Sequence, residues 1–324
     1  LGAGASLKWV YDPDPEKVAL FQAGFPDVKV ARTEEEVLED PEVQLVAGAA
    51  VPSERCALGL RVIEAGKDYF TDKSPLTTLE QVDAAREATA RTGRKYAVYY
   101  SERLHVETAV FASRLIADGA IGRVIQVTGF GPHRISLSHR PDWFFQREKY
   151  GGILTDIGSH QIEQILHYTG AEDAQVVRSQ IGNYANPDHP ELDDFGDAML
   201  VMDNGATGYF RCDWFTPDAL QNWGDGRTFI LGTEGFIEQR KYLNLATEDG
   251  PGHLFLANGS EETHYEVEGK VGYPFFGELV LDCLNRTENA MTQEHAFKAA
   301  ELAIRAQMQA VELTGREVRA SVTP

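Results

Sequence analysis

Ala65-Gly66-Lys67-Asp68-Tyr69-Phe70-Thr71-Asp72-Lys73-Ser74-Pro75 joins a helix-like run to a strand-like one. The amphipathic run, residues 53–65, stops at a glycine, and a β-rich run begins at 68–71. A second amphipathic run, 78–92, and a second β-rich run, 95–100, follow. Helix, strand, helix, strand at this pitch predicts βαβ units and a parallel sheet. The alternation continues upstream, with strands at 7–11, 28–31 and 43–49 and helices at 14–22 and 33–39. A helix over 102–118 leads into a different texture.

After Gly122 come longer alternating strands, at 124–131, 175–184, 198–202, 208–213 and 228–231. Asp203-Asn204-Gly205 and Gly232-Thr233-Glu234-Gly235 are turn signals suited to hairpins of an antiparallel sheet. Helices are predicted at 153–168, 274–284 and 294–313. The 324 residues, at roughly 150 per domain, suit two domains. The fold class is α/β followed by α+β: a parallel domain over residues 1–101 and a domain with a large, open, mainly antiparallel sheet over 102–324.

Charge narrows the function classes. Lys+Arg number 30 and Asp+Glu 50, a net charge of -20, so polyphosphates and anionic membranes are repelled and no nucleic acid or membrane partner is expected. No apolar run approaches the roughly 20 residues needed to cross a bilayer. Cys56, Cys212 and Cys283 are too few and too scattered for a disulfide framework or a zinc site, which suits a reducing, cytoplasmic compartment. The chain starts at Leu1 without a Met, so an upstream targeting segment is left open.

Leu1-Gly2-Ala3-Gly4 invites comparison with the glycine loop that cradles a dinucleotide's pyrophosphate. That loop needs a strand before it and a helix after it, and the run 6–11 leaves no room for the helix. Gly2 and Gly4 are therefore expected at the end of a first helix, with 6–11 the second strand of a Rossmann-like sheet. The first βα unit, roughly 25 to 30 residues, is then expected upstream of Leu1. Asp12 falls at the ribose-binding position, where a carboxylate accepts from the 2′- and 3′-hydroxyls and repels a 2′-phosphate. NAD is favoured over NADP.

The segment from Ala65 to Pro75 resembles the Ala-Gly-Lys-His-Val-x-x-Glu-Lys-Pro segment of the Gfo/Idh/MocA family (glucose-fructose oxidoreductase, inositol dehydrogenase and rhizopine catabolism). Val51-Pro52-Ser53 is similar to that family's Thr-Pro-Asn. Tyr150-Gly151-Gly152-Ile153-Leu154-Thr155-Asp156-Ile157-Gly158-Ser159-His160 is similar to its Gly-Gly-Gly-x-x-x-Asp-x-x-x-His. The family Glu is Asp72 here, its Pro has moved to Pro75, its third Gly is Ile153 and a customary His is Cys56. The resemblance implies a Rossmann-like domain and a substrate domain, with Asp12, Ala50, Val51, Pro52, Asp72, Lys73 and Arg103 at the cofactor. It also implies a homodimer or homotetramer through the C-terminal sheet.

Asp156 and His160 are four apart on a predicted helix, so both emerge on one face. An Asp there can orient an imidazole that exchanges a proton, although the same spacing occurs on helix faces without function. Lys73 follows a strand end, where ligands bind in open α/β sheets. The expected roles are His160 taking a hydroxyl proton, Lys73 polarising that oxygen and sharing the relay, and Asp156 orienting His160. Hydride goes to the nicotinamide. His133, Arg134, Trp143 and Arg147 are the substrate candidates: Trp143 offers a face for a sugar, the arginines hold hydroxyls or a carboxylate, and core packing or surface ion pairs compete. Asp156, His160 and His133 or His167 admit a metal-ligand reading, but no metal is expected.

The expected function is NAD-dependent oxidation or reduction at a hydroxyl carbon of a sugar, cyclitol or related polyol. Alternatives are a non-catalytic ligand-binding or regulatory homologue that has lost its cofactor, and an NAD-retaining lyase or glycosidase. Only the expected function accumulates NADH.

Overall fold

The computed structural model describes residues 4–247 and 250–313. Its first half runs β1 (Trp9–Val10), α1 (Pro15–Gly24), β2 (Lys29–Val30), α2 (Glu34–Leu38), β3 (Leu45–Gly48), α3 (Pro52–Glu64), β4 (Asp68–Asp72), α4 (Leu79–Thr92) and β5 (Tyr96–Tyr99). Two short helices, α5 (Ser101–Leu104) and α6 (Glu107–Ala117), lead to β6 (Val124–Pro132), α7 (Arg147–Tyr150), α8 (Ile153–Asp156) and α9 (Gly158–Thr169). Strands β7 (Ala174–Gly182), β8 (Phe195–Met202), β9 (Thr207–Asp213) and β10 (Arg227–Gly232) follow. The remainder is β11 (Gly235–Arg240), β12 (His253–Asn258), β13 (Glu262–Glu266), α10 (Phe275–Asn285), α11 (Gln293–Met308) and β14 (Val311–Glu312).

Every N-terminal pairing is parallel, in two sheets, β1-β2 and β3-β4-β5. The helix starts follow local chemistry: the side chains of Asp14, Thr33 and Thr78 accept backbone N–H groups at α1, α2 and α4. Tyr69 and Tyr96 meet edge to face at 4.9 Å, and Phe297 of α11 meets Tyr96 at 5.8 Å. The last long helix thus buries its apolar face against the first half of the chain.

The second half is one nine-stranded sheet, ordered β13-β12-β11-β10-β6-β9-β8-β7-β14. It is mixed, because β6 pairs parallel with β9 and β14 with β7, while the other neighbours are antiparallel. Helices α6, α8, α9 and α11 pack on the sheet.

Four sequence expectations are corrected. The helix over 102–118 is two, because Val106 is extended between them. The helix over 153–168 breaks at Ile157 into α8 and α9. The helix over 294–313 stops at Met308, and residues 311–312 add a strand beside β7. Strands β11, β12 and β13 were not expected; in β13 half-buried and exposed residues alternate at the sheet edge, and no apolar period marks them. Gly2 lies outside the described residues, and Gly4 has a φ of +84°.

Candidate active site

The ends of β3 and β4 are fastened to each other by one side chain. Arg55 of α3 donates from Nε to the Ala50 carbonyl at 2.8 Å and from Nη1 to the carbonyls of Asp72 and Ser74, both at 3.1 Å, and also contacts the Lys73 carbonyl. Ala50, Val51, Pro52, Asp72 and Lys73 are therefore held together. Ser53 follows them with a buried Oγ that has no partner. Asp12, past the end of β1, accepts the Asp14 N–H on Oδ1 at 2.8 Å, leaving Oδ2 open.

Lys73 then reaches across to the other half. Its Nζ donates to Asp156 Oδ1, and Ser74 Oγ donates to the Thr155 carbonyl at 3.0 Å. Burial pushes the Asp156 carboxyl up, but the charge and hydrogen bond of Lys73 outweigh it and hold it below the usual carboxylate range. Asp156 hydrogen-bonds Lys73 rather than His160, whose Nδ1 has no partner, and the expected Asp156–His160 pair acts only through space.

The start of α8 explains the paired glycines. Gly152 has a φ of +88° and ψ of 160°, a region essentially reserved for glycine. A Cβ there would lie 2.2 Å from Gln307 Cδ. Gln307 Oε1 accepts the Leu154 N–H at 2.9 Å while its Nε2 donates to Asp193 at 2.9 Å, so α11 caps α8.

His160 is 2% exposed, and its Nδ1 is buried without a partner, which leaves Nε2 for a ligand. Burial pushes the imidazole down to about 3, against the pull of Glu102. It is neutral at pH 7. Behind it, Lys241 Nζ donates to Glu102 Oε2 at 3.1 Å and to Gln164 Oε1 at 2.7 Å, and Gln164 Nε2 donates to the His160 carbonyl at 2.8 Å. Gln161 Nε2 also donates to Glu102, at 2.8 Å, and its Oε1 lies where a Cβ at Gly129 would be 2.3 Å away.

Of the substrate candidates, His133 joins this group. Its Nε2 is 3.9 Å from Glu102 Oε1, and its ring packs against Trp214 and Trp223 at 5.5 and 4.4 Å. The other three are engaged elsewhere. Arg134 donates to the carbonyls of Pro217 and Leu220, Arg147 pairs with Asp193 at 2.8 Å, and Trp143 packs on the edge of Phe144. Arg103 is buried against Glu163, with Nε donating at 2.6 Å, and His295 closes that pair from the far side at 3.1 Å. His167 bonds Ser113 instead of joining Asp156. Among the described residues no group of three His, Cys, Asp or Glu is placed to hold a metal ion.

The sequence reading missed Glu102, Lys241, Trp214 and Arg140. Arg140 lies over Phe144 at 4.4 Å and Trp214 at 4.9 Å. Nothing in the spacing around Arg140 marks it in the sequence.

Residues 110–238 match the family model for the GFO/IDH/MocA C-terminal domain. A crystal structure of a "putative oxidoreductase" from Erwinia carotovora atroseptica SCRI1043 is 53% identical, with a TM-score of 0.93, over 96% of this chain and 93% of that one. The scyllo-inositol 2-dehydrogenase (NAD(+)) of Bacillus subtilis is 28% identical over 72% of this chain and 66% of its own length. The D-xylose dehydrogenase of Paenarthrobacter nicotinovorans is 30% identical over 38% and 33%. The chain thus spans between a third and two thirds of these two curated relatives.

Proposed function

The chain belongs to the Gfo/Idh/MocA family of oxidoreductases, and on that premise we propose that it moves a hydride between a hydroxyl-bearing carbon of a sugar, cyclitol or related polyol and NAD. The observation that carries this is the Lys73–Asp156 pair closing across the two halves, with a neutral, buried His160 in the same charge group.

The residues present fit a dinucleotide. Asp12 has a free carboxylate oxygen for a ribose hydroxyl and would meet a 2′-phosphate with like charge. The orphaned Ser53 Oγ and the strand-end loops fixed by Arg55 offer the next contacts. Arg103, implied at the cofactor by the resemblance, has its guanidinium taken up by Glu163. The bound nicotinamide supplies the hydride acceptor.

The protein's own work is the proton. Neutral His160 accepts it from the substrate hydroxyl, and the imidazolium formed is stabilised by Glu102 and Asp156, which both act on it through space. Lys73 polarises the hydroxyl oxygen. Asp156 holds the Lys73 ammonium in place, a different task from the one its spacing to His160 predicts.

The test is NADH formation from NAD⁺ with a panel of sugars, sugar acids and cyclitols. Lys73→Met and His160→Asn are each expected to lower kcat/KM by roughly 10²- to 10⁴-fold. The group that must be unprotonated titrates near 3, so kcat/KM is expected to stay level from pH 8 down to 5, where an ordinary imidazole of 6.5 would already have lost activity. Full turnover by either variant sinks the assignment. Turnover without accumulating NADH points to an enzyme that retains its cofactor.

A further inference from the structure

The charges of the cleft do not cancel. Lys73 is matched by Asp156 and Lys241 by Glu102, while His133 and His160 are both pushed down by burial and are neutral at pH 7. Arg140 is left over. Its guanidinium lies on the faces of Phe144 and Trp214, both nearly buried, and Asp156 acts on it through space. Nε donates to the Ile135 carbonyl at 2.8 Å and Nη2 to the Arg134 carbonyl at 3.5 Å; neither is an anion. Among the described residues no carboxylate pairs with it, and Nη1 makes no hydrogen bond. Beside it, Trp214 is 6% exposed and its Nε1 has no partner.

A partly desolvated guanidinium without a counter-ion is costly, and the more so where the protein offers so many acids. In a chain of net charge -20, the two lysines of this cleft each have a carboxylate, Asp156 and Glu102. A planar fork held by two aromatic faces is also already ordered for a bidentate partner, so little side-chain entropy is lost when one arrives. A neutral polyol would leave the positive charge uncompensated, and bound NAD⁺ would add a second at the nicotinamide.

We propose that the substrate is a hydroxylated carboxylate, a sugar acid, whose carboxylate is held by Arg140 with Trp214 Nε1 as a second donor while a hydroxyl meets Lys73 and His160. This rests on the hydride-transfer reading for the reaction and on Arg140 for the substrate class. Arg140 replaces Arg134 and Arg147 as the anion-binding arginine, because those two each have a carboxylate beside them, Asp218 at 3.7 Å and Asp193 at 2.8 Å.

The full chain, with and without NADH, is titrated calorimetrically with D-gluconate, D-galactonate and D-glucuronate against D-glucose, D-galactose and myo-inositol; NADH formation from NAD⁺ is followed in parallel. At least one acid is expected to bind more than about 10-fold tighter than its neutral counterpart. Arg140→Gln is expected to weaken that acid roughly 100-fold in Kd or KM, with kcat within about threefold and neutral sugars unaffected. Arg140→Lys, which keeps the charge, restores part of the loss. Neutral sugars binding as well as acids, no acid binding at all, or Arg140→Gln leaving acid binding unchanged overturns the proposal. An acid that binds through Arg140 without any NADH formed upholds it and sinks the hydride-transfer reading instead.

Discussion

Lys241 is the most demanding single residue in the protein. Its side chain is fully buried, and its charge is met by Glu102 and the amide oxygen of Gln164. Burial alone would push the Glu102 carboxyl up; Lys241, His160 and His133 together outweigh it and hold it at about 2. Glu102 is therefore ionised at pH 7, and neither partner of the buried pair is easily removed alone. Lys241→Met is expected to destabilise the fold by about 3–5 kcal/mol, because it strands a buried carboxylate, whereas Lys241→Met with Glu102→Gln recovers most of the loss. Urea unfolding at pH 7 checks this; a single variant within about 1 kcal/mol of wild type would show that water already reaches Glu102. The pair was not legible in the sequence. A lone lysine after a strand carries no sign of a partner 139 residues away. Lys73, Asp156 and His160 were legible because they sit in motifs whose residue types and spacing are local.

At the scale of elements, the junction between the halves depends on how α8 begins. The sequence showed Gly151-Gly152 and a helix after them, but not that the helix breaks after one turn, nor that Gln307 caps it from 153 residues away. Helical period does not register a break at Ile157, since the residues on both sides keep their spacing and are all buried. The parallel strands were readable for the opposite reason: they are short β-rich runs, and after β1, β2 and β4 the cap chemistry of Asp14, Thr33 and Thr78 is visible in the residues themselves. The structure makes the second glycine the stricter of the two. Gly152→Ala must both enter a backbone region closed to other residues and displace a Gln307 side chain that makes two hydrogen bonds. The combined expectation is a loss of about 2–4 kcal/mol. In the Gln307→Ala background the steric part disappears and only the backbone strain, about 1–3 kcal/mol, should remain. Equal losses in both backgrounds by chemical denaturation would place the whole effect in the backbone and refute the contact with Gln307.

At the scale of the molecule, the nine-stranded sheet presents two different faces. One is covered by helices. On the other, Val177, Met199 and Val201 are exposed on β7 and β8 and Phe229, Leu231 and Phe236 on β10 and β11, with β6 and β9 between the two groups, and exposed apolar groups of this kind mark interaction surfaces. The charges among them are mixed, with Arg211, Arg227 and Arg240 near Asp197 and Glu238, so this face escapes the self-repulsion that a net charge of -20 imposes elsewhere. We propose that a second copy of the chain covers it, face to face about a twofold axis, since a closed isologous contact hides the same patch on both partners. Light scattering behind gel filtration is expected to give a dimer or tetramer. Leu231→Asp should shift it to monomer while far-UV circular dichroism is unchanged, because that side chain points to solvent within one copy. Salt gives a second readout: two chains of like net charge repel beyond the contact, and a Debye length of about 10 Å at 0.1 M screens this, so association should strengthen from 10 to 200 mM NaCl. A wild type that stays monomeric at micromolar concentration, or one that associates less as salt rises, would rule out this face as a self-interface.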